Sequence, residues 1–293
     1  MRSGPNKKKR RGAQKKPASR PSRHTENKSQ KSGPPKRKPA PREKQNSSSI
    51  ILDQGPLVLT GRHTCEAVLR YQPRRVLHIW LLEGAKGLDV HLKLAQGVRR
   101  PISFVDRAEL DAMAPDMSHQ GIVLTVEEFP LHDMEALPRS DVPLWVGLDG
   151  IQDPRNLGAA ARACYAFGAD GICIPKNRAA QVTPLAEKIA VGCLARLPVA
   201  QVTNLRRAMD YARKEGFWIV GAEANGEADP WDVDMNQPLF LMVGGEDSGL
   251  RRLTRENCDQ IVRLPTPRAV SLNAADALAV FLYEMNRQRQ KTQ

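Results

Sequence analysis

From Leu144 to the carboxyl end, short apolar runs alternate with amphipathic stretches, and few folds accept that order. Strand-like runs occupy Leu144–Leu148, Gly171–Ile174, Phe217–Gly221, Leu239–Val243 and Gln260–Leu264. Helical periodicity runs over Pro154–Phe167, Leu185–Val191, Leu205–Glu215 and Leu272–Gln288. Short apolar strands separated by helices predict an α/β fold, a parallel sheet covered on both faces. Such sheets bind ligands beyond the carboxyl ends of their strands. The segments that follow the strands are therefore where chemistry is to be sought.

Upstream, Gly55–Glu127 reads as a smaller α/β unit. Its predicted helices are Arg62–Tyr71, Leu88–Gln96 and Ala108–Met113, and its strands are Val76–Leu82, Ile102–Val105 and Gly121–Val126. Three prolines between Glu128 and Pro143 predict a linker. The expected organisation is an arm over 1–49, a small domain over 50–127, a linker over 128–142 and a main domain over 143–293.

Charge divides the chain just as sharply. Residues 1–49 hold 17 Lys or Arg against two Glu, a net of +15; residues 50–293 hold 28 against 30, a net of −2. With seven prolines and no aromatic residue, the arm cannot repay the entropy of folding and is expected to be disordered. Its readings are a solubilising or localising tail, a tether that gathers RNA through phosphate contacts, and a membrane-surface role, which the lack of an apolar face argues against. Five widely spaced cysteines suggest neither a disulfide framework nor a metal cluster, which favours a reducing, cytoplasmic compartment. The apolar runs are too short to span a membrane, and no apolar stretch follows the basic amino terminus as in a secretory signal.

Three strand exits carry unusual residues. After Leu148 come Asp153, suited to cap a helix, Pro154 in its first turn, then Asn156, Gly158 and Arg162. Gly158, one turn before Arg162, is expected to clear space for a substrate or for the arginine. After Val243 come Gly244, Gly245, Glu246 and Gly249, matching neither a phosphate-cradling loop nor a dinucleotide fingerprint. After Leu264 come Pro265, Ser271, Leu272 and Asn273; Ser271 is expected to cap the last helix, with Leu272, Ala275, Ala279 and Leu282 as its buried stripe. His63, His78, His91, His119 and His132 all precede this region, so a site there has no histidine base.

Taken together, Asn156, Gly158, Arg162, Phe167 and Gly168, then Val243 to Glu246 with Gly249, then Leu264, Pro265 and Ser271 to Asn273 resemble the three ordered motifs of the SpoU (TrmH-like) RNA 2′-O-ribose methyltransferases. The resemblance extends over about residues 55–290, and Gly61 to His63 and His119 to Ile122 look like segments of the 23S rRNA guanosine-2′-O branch. It implies a SPOUT α/β domain with a trefoil knot, an L30e-like small domain that positions RNA, a homodimer, and S-adenosylmethionine as cofactor without a metal. By position it implies catalytic roles for Asn156, Arg162, Glu246, Ser271 and Asn273. A cofactor pocket would be lined by Gly221, Ala222, Gly244, Leu264 and Leu272. The substrate would be a ribose of structured rRNA or tRNA. The family's third motif is one residue longer where this chain has Thr266, Pro267 and Arg268. The alternative is an RNA-binding or ribosome-assembly factor that keeps the fold without turnover.

Overall fold

The computed structural model describes residues 56–115, 117–245, 249–268 and 272–291. The basic arm, Glu246 and Ser271 lie outside the described residues.

The first sheet contains β1 (Leu57–Thr60), β2 (Val76–Leu82), β3 (Ile102–Val105) and β4 (Ile122–Val126), in the order β1-β4-β2-β3. β4 runs antiparallel to both neighbours, and β2 and β3 are parallel. Alternation along β2 divides the packing: Ile79 and Leu81 face one core, Trp80 and Leu82 the other. α1 (Arg62–Tyr71) and α2 (Asp89–Val98) close the first core with Val68, Leu69 and Ala95. α3 (Arg107–Met113) closes the second with Leu110, and a reciprocal Asp106–Glu109 capping box sets its start.

The second sheet holds six parallel strands in the order β10-β8-β9-β5-β6-β7. In chain order its elements are β5 (Leu144–Asp149), α4 (Pro154–Ala166), β6 (Gly171–Pro175), α5 (Pro184–Ile189), β7 (Val199–Val202) and α6 (Leu205–Lys214). They are followed by β8 (Trp218–Ala222), β9 (Leu239–Gly244), α7 (Arg252–Glu256), β10 (Gln260–Val262) and α8 (Ala274–Lys291). α4, α5 and α8 share a core with Val146, Leu148 and Ile172. α6 packs on the other face, where Trp145 stacks on Phe217 with ring centroids 3.9 Å apart. The α/β class and the parallel sheet are those expected from the sequence.

Several elements depart from expectation. β1, β7 and α7 were not foreseen, and β10 stops at Val262 rather than Leu264. The segment expected as a linker is packed. His132 exchanges backbone hydrogen bonds with Val199 and Gln201, and Phe129, Met134 and Leu137 are buried. α8 begins two residues later than expected, and Asn273 caps it by accepting a hydrogen bond from Ala275 N–H at 2.8 Å. Leu272 is therefore outside the helix and exposed; the buried stripe is Ala274, Ala275, Leu278, Phe281, Leu282 and Met285.

The two sheets are joined by more than chain connectivity. Arg75, just before β2, donates to both carboxylate oxygens of Glu187 on α5 at 2.9 Å each. Both side chains are buried, and the guanidinium also donates to Glu127 C=O and lies over Phe129.

Candidate active site

The β5 exit enters α4 as expected. Asp153 accepts from Arg155 N–H at 2.8 Å, and that hydrogen bond holds its carboxyl below the usual range. Asn156 then occupies the first turn of α4, and Asn273 reaches it from the start of α8. Asn273 Nδ2 donates to Asn156 Oδ1 at 3.0 Å, bringing the first and third segments into direct contact across 117 positions of sequence.

Gly158 has a different role from the one expected. A β-carbon there would lie 2.5 Å from Ala186 C=O and 2.8 Å from Ile189 Cβ. Its missing side chain lets α4 and α5 touch, and clears nothing for a substrate. Arg162, one turn later, is exposed, and its guanidinium makes no hydrogen bond or ion pair among the described residues. Its charge reaches Cys193, whose thiol burial pushes up and the charges of Arg162 and Arg196 pull back.

A cavity of about 330 Å³ opens beyond the carboxyl ends of β8, β9 and β10. Ala222, Gly244, Leu264 and Leu272 line it, whereas Gly221 does not. A β-carbon on Gly221 would meet Ile261, Cys258 and Leu250, so this residue faces the packing on the other side of β8. The wall also includes Glu223, Asn225, Thr266, Ala277 and Phe281, which sequence reasoning missed. Glu223 follows a strand directly, so the strand-exit rule would have found it; Ala277 and Phe281 come from a helix and carry no such signal. Thr266 belongs to the shortened third segment, which thus forms part of the wall.

The β9 exit is shaped by close backbone approach. A β-carbon on Gly244 would land on the backbone of Gly249 and Leu250, so only glycine permits this return. Asp149, fully buried at the end of β5, anchors the loop: its backbone C=O accepts from Gly245 N–H, and its carboxylate accepts from Arg251 N–H, both at 2.9 Å.

The cavity offers a ligand both apolar side chains and backbone polar groups. Leu264, Leu272 and Phe281 supply an apolar wall, and Gly244 and Gly245 expose backbone. Glu223, also in the wall, is ion-paired with Arg255, whose Nε stands 2.9 Å from its Oε2.

The small unit holds a second cluster. Arg62 N–H donates to Gln120 Oε1 at 2.9 Å and Arg62 Nε to Gln120 C=O at 3.1 Å, joining the two segments that the sequence singled out. Gly121 N–H donates to His119 Nδ1, which leaves the His119 Nε2 proton for Asp111.

Known proteins match this arrangement along most of the chain. The SpoU rRNA methylase family matches residues 143–283, and the RNA 2′-O ribose methyltransferase substrate-binding domain matches residues 58–131. The 23S rRNA (guanosine-2′-O-)-methyltransferase RlmB of Pseudomonas putida is 39% identical over 240 residues, covering 78% of this chain and 96% of that protein. The chain belongs to the SpoU rRNA methylase family. RlmB of Shewanella oneidensis is 37% identical over 239 residues, 79% of this chain and 97% of its own length. Among solved structures, the SpoU methyltransferase AviRb from Streptomyces viridochromogenes has a TM-score of 0.70 at 29% identity, covering 82% of this chain and 91% of that one. AviRb in complex with AdoMet gives the same TM-score at 27% identity over 80% of this chain and 91% of that one. The protein is thus an RNA methyltransferase of the 2′-O-ribose class.

Proposed function

We propose that this protein methylates the 2′-hydroxyl of a guanosine in 23S-type rRNA, with S-adenosylmethionine as donor. The observation that carries the reading is the Asn156–Asn273 contact at the start of the helix that also carries an exposed Arg162, in a chain that RlmB proteins match over most of their length. S-adenosylmethionine, when bound, supplies an electrophilic methyl group. Ala222, Gly244, Leu264 and Leu272 would hold it.

The remaining requirements fall on the chain. A ribose hydroxyl is a poor nucleophile and must lose its proton as it attacks. Arg162 stabilises the developing oxyanion, or holds the adjacent phosphate so that the hydroxyl is aligned. Arg162 is assigned to charge stabilisation, and the hydroxyl proton passes to solvent water at this exposed position. The Asn156–Asn273 pair fixes the start of α4 and presents amide groups to the substrate. Glu246 and Ser271 are assigned to the same site from the resemblance alone.

The reading extends to the whole chain. It includes the arm, an L30e-like small domain over 50–127, a connecting segment over 128–142 and a knotted domain over 143–293. In support of the knot, the β9 exit turns back on itself beside the segment running from β10 to α8. α8 leaves Val280 and Tyr283 exposed, which fits a homodimer. Sedimentation equilibrium at micromolar protein would refute the dimer by returning a monomer mass. Five free cysteines agree with a cytoplasmic setting, burial pushing Cys173 and Cys258 up to about 12. No helix among the described residues is long and apolar enough to cross a membrane.

The test is methyl transfer from labelled S-adenosylmethionine to an unmodified 23S rRNA transcript, with the product digested to nucleosides. The expected product is 2′-O-methylguanosine. A methylated base would overturn the ribose assignment, and RNA binding without transfer would make the protein a non-catalytic RNA-binding factor.

A further inference from the structure

A basic groove of about 1030 Å³ crosses the small unit near the carboxyl ends of α1 and α2. Arg70, Arg74, Lys93, Arg99 and Arg100 line it around Tyr71, whose side chain is 51% exposed. All five cations are exposed, and no acidic residue lines the groove. Glu66 pairs with Arg70 at 2.9 Å and leaves the other four uncompensated there. Helix dipoles favour cations at carboxyl ends, which covers Arg70 in the last turn of α1 and Arg99 at the C-cap of α2, but not Lys93 or Arg100. The cluster therefore needs another explanation.

The groove continues onto α4. Arg70 and Tyr71 also line a second groove, together with His63 and the Arg70-paired Glu66, whose far wall is Tyr165, Cys193 and Arg196. Arg196 lies against two rings, 4.7 Å from the centroid of Tyr71 and 4.6 Å from that of Tyr165. Those rings hold the guanidinium plane while leaving its edge able to grip a phosphate. Tyr165 follows Arg162 by three residues on α4, on the same side of the helix. The buried Arg75–Glu187 pair holds the small unit against α5, so both walls are set before any ligand arrives.

We propose that this track seats the unpaired RNA strand flanking the methylated nucleotide. Phosphates lie along Arg74, Lys93, Arg99 and Arg100, a base stacks on Tyr71, and Arg196 holds the phosphate next to the reacting ribose. This rests on the RNA-methyltransferase reading above and adds the path of the substrate. A strand is favoured over a duplex because an exposed aromatic ring among cations offers stacking to a splayed base.

Full-length protein is compared with Arg74→Gln/Arg100→Gln, Tyr71→Leu, Arg196→Gln and a control, Arg206→Gln/Arg207→Gln. The control arginines are equally exposed, on α6 against the opposite face of the six-stranded sheet. Binding of a 23S rRNA transcript is measured at several salt concentrations, together with KM, kcat and cofactor affinity. The Arg74/Arg100 variant is expected to raise KM for RNA about tenfold with kcat nearly unchanged. It should also lower the slope of log affinity against log salt by roughly 0.7–0.9 per lost phosphate contact. Tyr71→Leu should weaken binding without altering that slope, because stacking releases no counterions. Arg196→Gln should raise KM and lower the slope by about one contact. Cofactor affinity should stay constant throughout, showing that the variants fold.

Wild-type behaviour in the Arg74/Arg100 variant would overturn the track, and so would an equal loss in the control. If wild-type protein transfers no methyl group, the enzymatic reading fails, while the binding and salt data still decide the track.

Discussion

Arg162 is an exposed cation with no hydrogen bond or ion pair among the described residues, on the helix that also carries Asn156. A group that stabilises charge only as the hydroxyl reacts contributes to turnover and little to ground-state binding. Arg162→Ala should therefore lower kcat on the order of 10²–10³-fold with cofactor affinity unchanged. Calorimetric titration with S-adenosylmethionine, beside single-turnover kinetics at saturating RNA, separates the two effects. Unchanged turnover would remove the arginine from the site. Arg75 and Glu187 present the opposite case, a buried ion pair whose work is done in the ground state. Glu187→Ala leaves a guanidinium buried without its charge partner and should cost about 3–5 kcal/mol in denaturant unfolding. Arg75→Met combined with Glu187→Leu should recover part of that loss, since a packed apolar pair avoids the stranded charge. A double variant no more stable than the single one would show that the cost arises elsewhere.

At the scale of elements, Gly158 decides how α4 meets α5, and its substitution gives opposite signs for two accounts. Alanine is the better helix former by about 1 kcal/mol, so a glycine facing open space would gain stability on becoming alanine. Against Ala186 C=O and Ile189 the added carbon must push the helices apart. Gly158→Ala should thus lose about 1–3 kcal/mol of stability by thermal unfolding and lower turnover as well, because α4 carries Arg162. A rise in melting temperature would restore the substrate-clearance view. The same glycine shows where legibility ends. Sequence shows that a side chain is missing at 158, but not which neighbour fills the space. The long elements were readable because their apolar spacing is sustained, as in Arg62–Tyr71 and Val76–Leu82, whose bounds match the observed ones. β7 is four residues just after Pro198, and pairing with β6 makes it a strand; its own pattern does not. α7 is five residues, mostly charged, with no stripe to detect. Asn273 and Ser271 are both good caps by type, and only the fold reveals that Asn273 takes the role. Within the candidate site, the strand exits were legible because parallel sheets place ligands there. The contributions of Ala277 and Phe281 depend on how α8 packs back over those exits.

Across the whole molecule, charge is arranged on two levels. The arm carries a net of +15 and the rest a net of −2, yet the rest concentrates cations along one track beside the candidate site. These two features should be separable, because a tether raises affinity for any RNA whereas a track selects how one strand lies. Deleting residues 1–49 should leave thermal stability and cofactor affinity unchanged, since a proline-rich, strongly basic segment without aromatic residues has little apolar surface to bury. RNA association should weaken, most visibly at low salt. The slope of log affinity against log salt should flatten by roughly 0.7–0.9 for each phosphate the arm had neutralised. The methylated position should not move, because charge attraction carries no sequence information. Variants of the track make the complementary case: they retain the arm's non-specific attraction and lose positioning, so KM for the cognate transcript rises more than affinity for an unrelated RNA falls. Fluorescence anisotropy of one structured RNA at several salt concentrations, run with and without the arm, distinguishes a tether from a solubilising tail. Superimposable curves would assign the arm to solubility and leave the track as the main source of electrostatic attraction for RNA.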